Sequence, residues 1–303
     1  MKILLTTILV GTCITLFGQT AELFLPISNP LTNRDLAISP DGQLLLSTAQ
    51  SIKREKSVII LAKKNGDKWT EPVIAPFSGE YSDLEPAFSP DGKRLYFASN
   101  RPTADNKEKK DYDLWYVEKQ GEQWSEAVRL PDIINTSANE FYPSITKDGS
   151  IYFTATYDDT KGKEDIYVSR FSDGKYIKPE SLSEGVNSAT WEFNAFVAPD
   201  ESYILFSSFG REDDMGGGDL YISMKGDDGN WMSAQQLPSA VNGPTLDYCP
   251  FVDHDGNLYF TSSRPEYKEA MTYKEIVNTH NNVENGLDNV YVISLEEVLS
   301  LME

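Results

Sequence analysis

One five-residue turn, written five times with small variations, decides what this chain can become. It reads ISPDG at Ile38–Gly42, FSPDG at Phe88–Gly92, ITKDG at Ile145–Gly149, VAPDE at Val197–Glu201 and VDHDG at Val252–Gly256. Its Asp falls at Asp41, Asp91, Asp148, Asp200 and Asp255, spaced by 50, 57, 52 and 55 residues. Each copy leads into a strand of alternating pattern: QLLLSTA, RLYFASN, SIYFTAT, YILFSSF and NLYFTSS. A third strand follows (SVIILAK, DLWYVEK, DIYVSRF, DLYISMK, NVYVISL), then a short Gly- or Asp-rich turn and a fourth strand opened by Trp or Tyr. Asp-Gly and Asn-Gly supply the positive φ that tight hairpins need.

Four antiparallel strands at such a period describe a propeller blade, whose apolar faces must be covered by neighbouring blades. The sequence therefore predicts an all-β fold, a five-bladed β-propeller of four-stranded antiparallel blades in one domain, residues 19–303. The blades fall at about 33–78, 83–135, 140–187, 192–242 and 247–295. The fifth copy lacks its outer strand. The segment ELFLPISNPLTN (Glu22–Asn33) aligns with the outer strands of other copies, so a closing strand at about 21–29 is expected to complete the last blade. No helix is expected beyond a last turn at SLEEVLSL.

Residues 1–18 read as a secretory signal. Lys2 precedes an apolar run, Ile3–Phe17, too short to span a bilayer, and cleavage fits near Gly18. VGTC around Cys13 makes a poor lipobox, which argues against a lipid anchor, and no later segment is apolar enough to span. The expectation is an exported, soluble protein, periplasmic or secreted. Loss of Cys13 with the signal leaves Cys249 without an intrachain disulfide partner, and it reads as a small buried residue. The net charge of −20 excludes nucleic acid and anionic lipid as partners.

The motif SPDGKRLYFASNR, with DLYIS in register, resembles the Pro-Asp class of WD40-like repeats in the propeller of the Tol-system translocation protein B family. The resemblance runs from Gln19 to about Leu295. The loop GGGDLYIS (Gly216–Ser223) is similar to exported repeat proteins of Gram-negative bacteria. The resemblance implies a binding platform more than an enzyme.

The topology sorts the loops onto two rims. The Pro-Asp turns share one, the turn rim. The opposite rim holds the variable connections, RPTADNKEKKDYD (Arg101–Asp113) and the long insertion Arg264–Asp288 with Tyr267, Tyr273 and His280. Variable loops on a rigid ring are where recognition usually sits. That rim also carries acids. Eight residues before each turn Asp stand Asn33, Asp83, Glu140, Glu192 and Asp247, the last followed by Tyr248. Six residues before it stand Asp35, Glu85, Tyr142, Asn194 and Cys249. These positions, with Arg211, Tyr273 and His280, are the candidate ligand-binding residues.

Three readings stay open here. A channel-mouth ring of carboxylates can hold Ca²⁺, which takes six to eight oxygens. Asp213, Asp214 and Asp219 around the glycines of REDDMGGGD are a second, weaker metal candidate, lacking the EF-hand spacing. Asp83, Glu140, Glu192 and Asp247 can alternatively act as paired catalytic acids of a carbohydrate-active hydrolase or lyase. A residue repeated in nearly every blade can also simply hold each blade together. Arg101, Arg211 and Arg264, just past the second strands, are expected to pair with the residues opening the third strands, Asp113, Asp219 and Asn289. Blade three has Tyr157 at the Arg position. No nucleophile elbow, HExxH or phosphate loop occurs. His254 and His280 fall on opposite rims. The function expected is binding of a protein, peptide or glycan at the long-loop rim, without a cofactor unless calcium.

Overall fold

The computed structural model describes residues 20–103, 106–265 and 267–303. The expected signal segment 1–18, Cys13 and the proposed strand start at Gln19 lie outside the described residues.

The chain forms five antiparallel four-stranded blades arranged as a propeller. From the axis outward, blade one runs Thr32–Ile38, Leu44–Gln50, Ser57–Asn65 and Val73–Ile74, and blade two Asp83–Phe88, Arg94–Ser99, Asp113–Gln120 and Val128–Arg129. Blade three runs Glu140–Ile145, Ile151–Ala155, Asp165–Ser169 and Glu180–Ser181. Blade four runs Trp191–Val197, Tyr203–Phe209, Asp219–Met224 and Gln235–Gln236. Blade five has Asp247–Val252, Asn257–Ser262 and Asn289–Ser294, and its outer strand is Glu22–Leu23, paired antiparallel with Val292 and Tyr291. The ring is thus closed by an N-terminal strand, after which the chain makes a 3-10 turn at Leu25–Ile27 and enters blade one.

Burial explains why the blades need one another. Each neighbouring pair shares an apolar core of alternate side chains. Leu44, Leu46 and Ile59 of blade one meet Leu95, Phe97 and Val117 of blade two. Tyr96 and Leu114 meet Ile151 and Phe153, Ile166 meets Ile204 and Phe206, and Leu205 and Leu220 meet Leu258 and Phe260. Leu36, Leu45 and Ile27 close the circuit against Tyr259 and Val290. A buried side chain of this size contributes roughly 1.5–3 kcal/mol over an exposed one, so an isolated blade would lose most of its stabilisation.

The turns behave as their residues dictate. Gly42, Gly92, Gly149 and Gly256 hold φ of 67–88°, and Glu201 of VAPDE adopts φ 60° in the same place. Glu201 gains partners there, bonding the Tyr152 hydroxyl and Arg170. Two helices depart from the strand pattern. The short α2, Leu295–Ser300, covers the last expected turn. The helix α1, Tyr273–His280, lies in the long insertion and corrects the expectation of no further helix. Its start is fixed by a capping box in which Thr272 and Glu275 satisfy each other's backbone N–H.

Candidate functional site: the central channel

At the long-loop end of the inner strands, the repeated acids are fasteners within each blade. Asp83, Glu140, Glu192 and Asp247 are fully buried. Arg101 reaches Asp83 at 2.7 Å, Arg211 reaches Glu192 at 3.0 Å and Arg264 reaches Asp247 at 3.0 Å. This corrects the expected pairing with Asp113, Asp219 and Asn289. The guanidinium also donates to a serine at the last or next-to-last place of the second strand (Ser99, Ser208, Ser262) and to a carbonyl of the loop entering the blade (Phe77, Val186, Val241). It lies over the aromatic pair of strands two and three, as Arg211 does over Phe206 and Tyr221 at 5.3 and 4.7 Å. Asp113 instead takes Arg129 and Lys109.

Blade three solves the same problem with Tyr157. Its ring packs on Tyr167 at 4.7 Å, and its hydroxyl donates to the Ile134 carbonyl at 2.6 Å. Without an Arg, Glu140 is held by the Thr136 hydroxyl and amide, and burial pushes its carboxyl up to about 7. Burial also raises Asp247, with Arg264 opposing.

Two residues further along each inner strand, a second ring closes the channel. Asp35, Glu85, Tyr142, Asn194 and Cys249 all hold positive φ, between 49 and 61°, at a register shift in their strands. The bulge turns these side chains together, and three of the bulge amides donate to a threonine hydroxyl on the second strand of the preceding blade. These bonds are Asp35 to Thr261, Glu85 to Thr48 and Asn194 to Thr154. Blade two has Ala98 at the threonine place, and there the Tyr142 amide donates to Glu85 Oε2 at 2.7 Å instead.

Arg34 sits at the hub. It donates to Asp35 Oδ1 at 2.8 Å, to Glu85 Oε1 at 2.9 Å and to Cys249 Sγ at 3.5 Å, and lies over the Tyr248 ring at 5.0 Å. Asn194 adds a bond to Glu85 at 3.4 Å, and the Tyr142 hydroxyl donates to the Pro250 carbonyl. Tyr248 is buried, its hydroxyl on Asp288. Burial raises Glu85 to about 8, with Arg34 opposing and Asp35 adding to the rise. Burial also pushes the Cys249 thiol well up, so it is no ready nucleophile. His254 stands apart from it, at the turn-rim opening beside Asp255. Sequence reasoning missed Arg34 and the threonines. Their signal was the aligned Thr48, Thr154 and Thr261, which recur at one register.

The channel is open toward the turn rim as an apolar funnel of about 340 Å³, with Glu85 and Tyr142 at its floor. On the other rim, Tyr273 and His280 are exposed on α1 and belong to neither ring. In the glycine-rich loop, Asp213 and Asp214 accept from the Tyr221 hydroxyl, and Asp219 Oδ2 accepts from Met215 N and Gln236. Among the described residues, no group of three or more His, Cys, Asp or Glu is arranged to hold a metal ion. No helix among them is long and apolar enough to cross a membrane.

No protein-family model and no curated protein matches the sequence. Solved structures do. The α-L-arabinofuranosidase PaAbf62A from Podospora anserina aligns over 91% of this chain and 96% of its own, at 12% identity and a TM-score of 0.53. The Bacteroides ovatus xyloglucan-locus GH43B aligns over 90% of this chain and 53% of its own, at 14% identity and 0.52. TolB from Acinetobacter baumannii aligns over 86% of this chain at 14% identity and 0.47. The alignment covers 54% of that TolB chain, about half its length. At such identities the likeness establishes the propeller fold alone.

Proposed function

We propose that this chain is an exported binding scaffold that engages a protein partner through its long-loop rim, rather than a carbohydrate-active enzyme. The observation that carries the reading is the state of the four acids at the channel mouth. A retaining or inverting glycosidase needs two carboxyl groups facing an open cleft about 5–10 Å apart. Asp83, Glu192 and Asp247 are instead buried against Arg101, Arg211 and Arg264, and Glu140 against Thr136. Among the apolar groups that this rim exposes is a cluster on α1, with Tyr273 82%, Ile276 48% and Val277 37% exposed. These residues stand at i, i+3 and i+4, a single apolar stripe on a capped helix with no buried residue. The apolar run Ile3–Phe17 after Lys2 supports export.

The test has two arms. Arabino- and xylo-oligosaccharides incubated with the purified protein should yield no new reducing ends. Release that Glu192→Gln abolishes would establish the enzyme instead. In parallel, partners captured by cross-linking in the native extract should be lost with Tyr273→Ala and Ile276→Asp together, while Met232→Asp, an exposed change on blade four, keeps them.

A further inference from the structure

We infer that a pocket on the long-loop side of blade two binds a hydroxylated carboxylate of the sugar-acid class. It goes beyond the proposed protein binding, which rests on α1 of blade five. The third residue of the third strand shows why. In blades three, four and five it is Tyr167, Tyr221 and Tyr291. Each hydroxyl donates to a carboxylate of the loop joining its own strands two and three, Asp159 at 3.0 Å, Asp213 at 2.8 Å and Glu284 at 3.1 Å. Blade two has Trp115 at this place. Trp115 is 8% exposed, and its indole N–H is buried with no acceptor among the described residues. Eight residues before the ring, where blades three and four have Asp159 and Asp213, blade two has Lys107. An unsatisfied buried donor is rare in a folded protein. Here the blade omits the carboxylate that its sister blades supply, and a ligand can bring it.

The pocket is about 550 Å³, within the size range of small-molecule sites, and Trp115 lines it. Arg129, also in its lining, stands directly across from Trp115 in the strand pairing, so the two side chains lie side by side on one face of the blade. Arg129 uses Nε for the buried Asp113 and Nη1 for Asp132, while Nη2 has no bond among the described residues. The Asp132 side chain is 90% exposed, and an ion pair so open to water is weak. A ligand carboxylate can therefore displace Asp132 from the guanidinium and accept from the indole N–H beside it. The surroundings tolerate an anion. Lys107, Lys109, Lys110 and Arg129 offset Glu108, Asp111, Asp113 and Asp132, which leaves this corner neutral in a chain of net charge −20. Thr103, Asn106 and Ser137 add hydroxyl and amide groups to the lining, partners for the hydroxyls of the ligand's body.

The probes are D-glucuronate and its uncharged counterpart D-glucuronamide, titrated calorimetrically into the purified protein. The acid should bind saturably and at least about tenfold more tightly than the amide. Trp115→Phe keeps a ring but removes the N–H, and should weaken the acid about fivefold or more. Lys107→Asp, a change at an exposed residue, restores the carboxylate of blades three and four and should weaken the acid at least about tenfold. Asp132→Asn frees Arg129 and should tighten the acid about threefold. If Trp115→Phe does not fold, the two loop variants still decide. No saturable binding of glucuronate, or equal affinity for acid and amide, would overturn the site. Wild-type affinity in Lys107→Asp, in Asp132→Asn or in a folded Trp115→Phe protein would do the same. So would binding of N-acetylglycylserine, a peptide carboxylate, without any binding of glucuronate.

Discussion

Asp83 and Glu85 stand two residues apart on one strand, and their surroundings have opposite logic. The ring containing Asp83 repeats nearly the same side chain in each blade, and each copy is tied up inside its own blade. The ring containing Glu85 repeats a backbone conformation instead, while its side chain changes from Asp to Glu, Tyr, Asn and Cys. The difference follows from distance to the axis. A group that fastens one blade meets the same neighbours five times over, so one solution serves throughout. Groups that meet at the axis must fit against one another. Five carboxylates there would face mutual repulsion in a desolvated space, whereas one Arg, two acids, an amide, a phenol and a thiol can share one network. Uniform side chains mark work within a blade, and uniform backbone with varied side chains marks work between blades.

That contrast can be broken by substitution, beginning at the axis. Arg34→Met strands Asp35 and Glu85 without their shared cation, and should cost about 3–5 kcal/mol in urea unfolding. A loss under about 1 kcal/mol would mean the plug is not a fastener. Next comes Glu140, the fastening acid that lacks an Arg. Its folded-state value near 7 exceeds its ordinary 4.5, so its protonated form favours the fold. The wild type should keep full stability below about pH 4.5. It should lose up to about 3 kcal/mol relative to Glu140→Gln as pH rises to 7, and level off above that. Parallel stability curves for the two proteins across this window would refute the burial account. Thr154→Val removes the acceptor for the buried Asn194 amide and should cost about 1–3 kcal/mol, read as a lower urea midpoint at unchanged slope. The smallest effect is expected for Asn194→Gly. It loses a long hydrogen bond but relieves positive φ, and should stay within about 1 kcal/mol of wild type. A larger loss would make the side chain, rather than the backbone, the feature that matters.

Most of the architecture was legible because repeats state it redundantly. The five turns, the strand alternation and the closing segment at Glu22–Leu23 each point to one topology. The partner of the repeated Arg was not legible, for a definite reason. Ser99 pairs in register with both Asp83 and Asp113, on either side of it. Pairing alone places an acid within reach on each side of Arg101. The choice is made by the faces of Phe97 and Trp115 under the guanidinium, and by Arg129 and Lys109, which already occupy Asp113. The plug was hidden because positive φ at Asp, Glu, Tyr, Asn and Cys is written in no residue type, and Arg34 reaches across blades. The helix α1 carried a readable Thr-x-x-Glu cap and an apolar pattern at Tyr273, Ile276 and Val277, but a helix of only eight residues within a long insertion is easily read as loop.

The claim on which the functional reading turns is that the acids at the long-loop mouth are fasteners. A double-mutant cycle between Glu192 and Arg211 measures this directly, comparing the unfolding free energies of wild type, Glu192→Gln, Arg211→Met and the double variant. A coupling of about 2 kcal/mol or more is predicted for a buried pair in direct contact. A coupling below about 0.5 kcal/mol would show Glu192 to be independent of its arginine, and would return it to the list of carboxylates available for chemistry.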